Sequence, residues 1–357
     1  MYLKYFSFLV LLVGMVSCTE DASQKKKEAP YVQLQGETMG TYYRVTYSQE
    51  NEASYQAEID GLLRIINLEV STYINHSTIS KFNQADTAFS LNYLPETQES
   101  TAYPNAHFLA NFKKAKEVYQ QTQGYFDPTV MPLVNYWGFG YDEKKKVERV
   151  DSLLVDSLKQ LVGFDKVALD MDQKRLTKSA PGVQLDFSAI AKGYAVDEIA
   201  RLLSEEKGVA NYLVDIGGEV VARGVNAKGN VWKIGINVPK EGASTNEIQT
   251  AVSLENQALA TSGNYRNFYE VEGNKYSHTI SPQTGFPERN TLLSASVFAS
   301  DCMTADAYAT AFMVMGPERA FRAASQHKEI EAYFIIGNLN GGMEVKYTSG
   351  LATLFEQ

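Results

Sequence analysis

The sequence predicts an α+β fold, with mixed or antiparallel sheets and packed helices, on three observations. Apolar residues recur at helical spacing in several separate segments. Runs rich in Val, Ile, Tyr and Thr, bounded by glycine, lie between and after them. The order of the two kinds is neither strict strand–helix alternation nor all strand. The chain has 357 residues, 44% of them hydrophobic, ample for a large core. Residues 31–357 are read as the folded domain.

Taking the elements in order, residues 35–48, QGETMGTYYRVTYS, alternate loosely and predict a strand with a glycine-containing kink at Met39-Gly40. Residues 54–70 place Ile59, Leu62, Leu63, Ile66 and Val70 at helical spacing. Residues 105–121 do the same with Phe108, Leu109, Phe112, Ala115, Val118 and Tyr119, and Gly124 is a stop signal. The polar stretch 74–104 between them reads as loop-rich surface. KKKVERVDSLLVDSLKQLVG is a charged lead into another amphipathic helix, ending near Gly163. Strands dominate from there: KVALD, NYLVDIGGEVVARG, WKIGINV, AVSLENQALAT, LLSASVFAS and EAYFIIGN. Helices at 188–206 and 304–315 interrupt them, and PERAFRAASQ is a last helix with Pro317 in its first turn.

Net charge is −9 and no stretch concentrates Lys and Arg, which argues against a nucleic-acid partner. The N-terminal MYLKYFSFLVLLVGMVSC carries one lysine and then an apolar run from Tyr5 to Val16, short for a bilayer span. A cysteine after a small residue at the end of that run resembles a bacterial lipobox, with Met15 a less typical residue there. Residues 1–17 are therefore read as a lipoprotein signal peptide and Cys18 as an acylated anchor in a lipid bilayer. Residues 18–30, polar and without apolar periodicity, are read as a disordered tether. The expected location is the bacterial cell envelope, facing the periplasm. Cys302, the only other cysteine, is then left without an intramolecular partner and reads as a small buried hydrophobe. Neither CxxC nor HExxH occurs, so a zinc site has no support.

Five stretches carry side chains that suit chemistry. In DCMTADAYATAFMVMG, Asp306 and Thr310 sit four residues apart in an apolar helix, so both face one direction. A carboxylate in such a helix is tolerable if it faces a cation. In VQLDFSAIAKGYAVD, Asp186 ends a strand-like run, Ser188 is a candidate helix cap, and Lys192 follows one turn in. Taken alone, a Lys192 pairing with Asp186 or Asp197 explains that stretch structurally. Gly193 permits close backbone approach, and Asp215 followed by Gly217-Gly218 marks a tight turn. ALATSGNYRNFYEVEGNKYSHTISPQTGFP offers Thr261, Ser262, Gly263, Arg266 and His278, the last flanked by hydroxyls. YFDPTVMPLVNYWGFG reads as a rigid, aromatic-lined wall.

In this order the blocks ETMGTYYRV, STYINHSTISKFN, GYFDPTVMPLVNYWGFG, LDFSAIAKGYAVD, LVDIGGEVVARG, ATSGNYRNF, YSHTISPQTG and ADAYATAFMVMG resemble the ApbE-type FAD:protein FMN transferases. The resemblance runs from about Thr38 to Gly316. It implies an enzyme that binds FAD and magnesium and cleaves the pyrophosphate. The FMN moiety then passes through a phosphoester to a Thr or Ser hydroxyl of a target protein, and AMP is released. Such a reaction needs a hard cation with oxygen ligands. The resemblance assigns Mg2+ to Asp306, Thr310 and the carbonyl of Ala189. Some members carry an acid where this chain has Ala309, which leaves that position a backbone carbonyl, water or nothing. Flavin contacts are implied for Met39, Tyr73, Tyr125, Phe126, Asp127, Asp186, Lys192 and Ile280, with Thr261, Ser262 and Gly263 adding donors. His278 is the candidate base for the acceptor hydroxyl, because an imidazole of pKa about 6.5 is neutral near pH 7. Subunits of membrane redox complexes are the implied acceptors. Two other readings use the same residues: an FAD pyrophosphatase yielding FMN and AMP, and a non-catalytic flavin-binding lipoprotein.

Overall fold

A computed structural model describes residues 30–355 except Glu52, Leu339 and residues 96–103, 142–146, 241–246, 265–267 and 272–273. The signal peptide, Cys18, the tether up to residue 29, Arg266 and Lys144 to Lys146 lie outside the described residues. Mixed helices and antiparallel sheet make up the fold, as the sequence predicts.

An eight-stranded sheet organises the molecule. Its strands, in spatial order, are Tyr31–Thr38, Thr41–Ser48, Tyr212–Ile216, Glu219–Arg223, Gln257–Gly263, Leu292–Ala299, Ile330–Gly337 and Met343–Tyr347. Spatial order equals chain order, and every neighbouring pair is antiparallel. Side chains alternate between its two faces. Val214, Val221, Ala260, Val297 and Phe334 enter the main core, against the helices. Leu213, Val220, Leu259, Phe298 and Ile335 face a second core. That second core is closed by the hairpin Trp232–Asn237 with Ile248–Leu254, through Trp232, Ile236, Val252 and Leu254. Both faces are thus covered, and each fully buried aliphatic or aromatic side chain contributes about 1.5–3 kcal/mol.

Four helices build the layer over the main core: Gln56–Val70, Ala106–Gln121, Ala191–Arg201 and Cys302–Met315. The last of these is buried along almost its whole length, which suits its alanines at 305, 307, 309 and 311. The helix Ala191–Arg201 crosses it at Gly193, where a Cβ would stand 2.4 Å from the carbonyl oxygen of Cys302. Only glycine lets the two backbones meet there.

The structure departs from the sequence expectations in several local places. Met39-Gly40 is not a kink in one strand but the turn of a hairpin, with φ of 50° and 73°. Positive φ at both central residues matches the twist of paired strands. The stretch 74–104 is not simply surface: it holds the helix Thr78–Gln84 and the strand Ala88–Ser90, which pairs with Arg175–Lys178. Its polarity is misleading because polar groups are buried in pairs there. Thr78 donates to Asn105 Oδ1 at 2.6 Å, and Asn105 donates to the carbonyls of Leu91 and Tyr93. Lys178 is likewise buried and donates to the carbonyls of Phe82, Asn83 and Val183 at 3.0–3.2 Å. The run 251–261 breaks at Glu255-Asn256, placing its first half in the covering hairpin and its second in the main sheet. The helix expected at 188–206 begins at Ala191 and ends in a π turn, Leu202–Glu206. Of the helix expected to end near Gly163, the described residues show only Ser152–Lys159, capped by Asp151 through the N–H groups of Leu153 and Leu154.

Candidate active site

The helix Cys302–Met315 is held by carboxylates at its N-terminus. Asp301 caps it by accepting from the Thr304 N–H at 2.8 Å. Asp197, on the helix Ala191–Arg201, accepts from the N–H groups of Cys302 and Met303, each at 2.8 Å. These are donors that the helix itself leaves unpaired. Burial pushes Asp197 up to about 7, against the pull of those two hydrogen bonds. One turn further along, Asp306 is 2% exposed. Its Oδ2 accepts from the Gly193 N–H at 3.1 Å, and its Oδ1 lies 4.0 Å from Lys192 Nζ. Thr310, a turn beyond, is only half-buried, and its hydroxyl meets Ser262 Oγ at 3.2 Å.

Lys192 is paired with neither Asp186 nor Asp197. Its ammonium is hydrogen-bonded to Glu219 Oε1, and Glu219 is the residue that sequence reasoning missed. The Gly217-Gly218 turn reverses the chain so that Glu219 opens its strand on the helix-facing side, where Val221 also points. A tight turn drew attention to its glycines. The signal available was the acid directly after them, at the head of an apolar strand. Burial pushes the Glu219 carboxyl up to about 7, with Lys192 pulling the other way and Asp306 adding to the rise. Burial works against the Lys192 ammonium, but the charges of Asp306 and Glu219 outweigh it and hold its pKa above the ordinary value.

These groups open into a cleft of about 780 Å³. Of the residues singled out in the sequence, Tyr73, Asp186, Ala189, Lys192, Thr261, Ser262, Gly263, His278, Asp306 and Thr310 line it. Tyr73 is 68% exposed at its edge. Asp186 accepts from both the N–H and the hydroxyl of Ser188, at 2.9 and 2.7 Å, so Ser188 is a donor there and not a helix cap. Burial raises the Asp186 pKa, opposed by those bonds. The Thr261 hydroxyl is engaged with Ser296 at 2.8 Å. His278 is half-buried, with its ring 6.4 Å from that of Phe139 and steeply inclined to it. Phe139 heads a series of stacked rings, through Tyr269 and Tyr276 to Trp137, which gives the cleft its aromatic wall. Thr279 donates to Asn264 Oδ1 at 2.6 Å, tying the His278 segment to the end of the Ser262 strand.

Six other residues from the sequence reading do not line the cleft. Met39 sits in the first hairpin turn, half-buried against the main core. Tyr125 lies under the Arg319 guanidinium, 4.6 Å from its ring centre. Phe126 and Ala309 are main-core residues, at 3% and 0% exposure. Ile280 belongs to the small core around Trp137. Asp127 caps the short helix Pro128–Val130, accepting from the N–H and hydroxyl of Thr129 through one oxygen.

The donors around Asp306 fit a hard cation. A buried carboxylate, a hydroxyl one turn on and the cleft-lining Ala189 supply oxygen alone, the donor type that magnesium takes. Among the described residues no three His, Cys, Asp or Glu side chains converge as a metal cluster, so water and substrate oxygens would have to complete such a shell. One more buried oxygen, Glu219 Oε2, has no hydrogen-bond partner.

Comparison with known proteins gives this geometry its context. The family model described as the ApbE family matches residues 39–334. A curated relative from Vibrio cholerae, named FAD:protein FMN transferase, is 37% identical over 328 residues, 91% of this chain and 93% of that protein. One of the same name from Haemophilus influenzae is 35% identical over 326 residues, covering 88% and 89%. The solved flavin transferase ApbE from Vibrio cholerae superposes with a TM-score of 0.78 at 34% identity, over 92% of this chain and all of that one. The apo form of Pseudomonas stutzeri flavinyl transferase ApbE gives 0.77 at 30% identity, over 92% and 98%. The matched span contains every cleft residue described above, and the relatives align over nearly their whole length: the chain belongs to the ApbE family.

Proposed function

We propose that this chain is a magnesium-dependent FAD:protein FMN transferase. It cleaves FAD and joins the FMN moiety by a phosphoester bond to a Thr or Ser hydroxyl of a target flavoprotein, releasing AMP. The names of the relatives support the flavin-transfer reading. The observation that carries it here is the convergence of Asp306, Thr310, Lys192 and His278 on one cleft.

Asp306, Thr310 and the Ala189 carbonyl are the groups that would hold magnesium, which when bound neutralises pyrophosphate oxygens as a Lewis acid. The chain's own side chains do the rest. Lys192 supplies a fixed positive charge for phosphate. Tyr73 and the Phe139 wall offer flat faces to a ring system. His278 takes the proton of the acceptor hydroxyl as its oxygen bonds to the FMN phosphorus. The bond from that phosphorus to the bridging oxygen breaks, and AMP leaves with the electron pair.

Incubation with FAD, magnesium and a candidate acceptor, followed by mass spectrometry, tests this reading. An FMN adduct on the acceptor with matching AMP is the expected result. FMN and AMP without an adduct would make the enzyme a pyrophosphatase, and intact FAD would make it a carrier.

The same reading puts the enzyme on the periplasmic side of a bacterial membrane, anchored by acylated Cys18 through the 18–30 tether. The N-terminal sequence alone supports this. Retention of a Cys18→Ser variant in the membrane fraction would overturn the anchor.

A further inference from the structure

Lys192 stands between two carboxylates and is shared unequally by them. Its contact with Glu219 is a hydrogen bond; its contact with Asp306, at 4.0 Å, is too long for one. Both acids are almost wholly buried, with side chains 6% and 3% exposed, against 27% for the lysine. An ammonium released from Glu219 would close on Asp306, the other buried carboxylate within its reach. It would then occupy the charge that a divalent ion needs. Glu219 prevents this by position. It sits at the start of a central strand, fixed by the Gly217-Gly218 turn on one side and by pairing with Ile216 on the other. Asp306 is meanwhile satisfied on its other oxygen by the Gly193 N–H, so it does not need the lysine to remain buried.

We propose that Glu219 is a positioning residue of the active site: it holds the Lys192 ammonium away from Asp306 and so keeps the Asp306 carboxylate open for a divalent cation. This rests on the magnesium-dependent reading above. With Glu219 present, the lysine charge stays in the cleft for phosphate and the Asp306 charge stays available for metal. Without it, the two neutralise each other. The unpartnered Glu219 Oε2 fits this role, since the carboxylate is held by one bond to lysine and engages no other side chain.

The experiment is a double-mutant cycle on cation binding to the intact protein without FAD, read by calorimetry with Mg2+ and by electron paramagnetic resonance with Mn2+. Glu219→Gln is expected to weaken binding about ten-fold or more in the wild-type background. In the Lys192→Met background, where no ammonium competes, the same change is expected to cost less than about three-fold. An additive cycle, with Glu219→Gln costing the same in both backgrounds, would overturn the inference while leaving the metal reading intact. Absence of Mg2+ and Mn2+ binding by the wild type would overturn the metal reading and this inference with it. Should Glu219→Gln fail to fold, Glu219→Asp in the same two backgrounds decides: the shorter acid keeps the charge but draws it back from Lys192, and is expected to cost about three-fold or more with the lysine present and less in the Lys192→Met background. Equal costs in both backgrounds would mean that the position of the acid does not restrain the lysine.

Discussion

The Gly193 N–H donates to Asp306 Oδ2 at 3.1 Å, a backbone-to-side-chain bond between two helices that would be too far apart if residue 193 had a side chain. Gly193 thus links helix packing to site chemistry. A Gly193→Ala Cβ would meet the Cys302 carbonyl oxygen at 2.4 Å, so the helices must separate. The expected cost is about 1–3 kcal/mol, as for other overpacked cores. Transferase activity should fall more than stability alone explains, and thermal melts with FAD turnover at a temperature well below unfolding check this.

Asp306→Asn keeps an oxygen for the Gly193 N–H and loses the charge. Turnover is expected to drop about 10²–10³-fold while the thermal midpoint stays close to wild type. Thr310→Val removes the hydroxyl at nearly constant volume and should raise the magnesium concentration for half-maximal rate. Chromatographic assay of AMP release across a magnesium titration measures both.

His278→Ala is expected to lower the rate of FMN transfer about 10²–10⁴-fold with little change in the KM for FAD. Single-turnover transfer at several pH values, with and without added imidazole, tests it. A full wild-type rate would remove His278 from proton transfer.

Asp127 gives a pH-dependent stability with a definite sign. Burial raises its pKa from 3.8 to about 6, against the pull of the Thr129 bonds. The folded state therefore binds this proton more tightly than the unfolded one. Its stabilising contribution is complete below about pH 4 and lost as pH rises through about 6, a change of up to about 3 kcal/mol. Asp127→Asn keeps one oxygen for both Thr129 donors and cannot titrate. Urea unfolding at pH 4 and pH 7 should show a smaller decline for the variant than for wild type.

Lys178→Met leaves the carbonyls of Phe82, Asn83 and Val183 without their shared donor. A loss of about 3–5 kcal/mol is expected, with kcat unchanged in the folded fraction. Chemical denaturation and active-site titration separate the two effects.

Asp306 and Thr310 were legible because helical spacing alone aligns side chains four residues apart. Lys192 was legible as a charge but not as a pair. Its partner Glu219 comes from a strand 27 positions later in the chain, and only the sheet brings it under the helix. Asp186 and Asp197 were nearer in sequence, yet Asp197 is taken by helix N–H groups and Asp186 by Ser188. The polar character of 74–104 concealed a helix and a strand because buried Thr78 donates to Asn105, which in turn donates to the Leu91 and Tyr93 carbonyls. Such a relay has no periodic signature.

The strands of the main sheet lie side by side in chain order, so none has to be inserted between two already paired. Strands added one after another at the growing edge suit a polypeptide that emerges progressively from the ribosome. The longest interruption comes early: Thr41–Ser48 waits for Tyr212–Ile216 while all the helices and short strands between them are produced. Loop closure makes this the costliest pairing to nucleate. Until then Thr41–Ser48 presents a bare edge, the place where chaperones or aggregation would compete for the nascent protein.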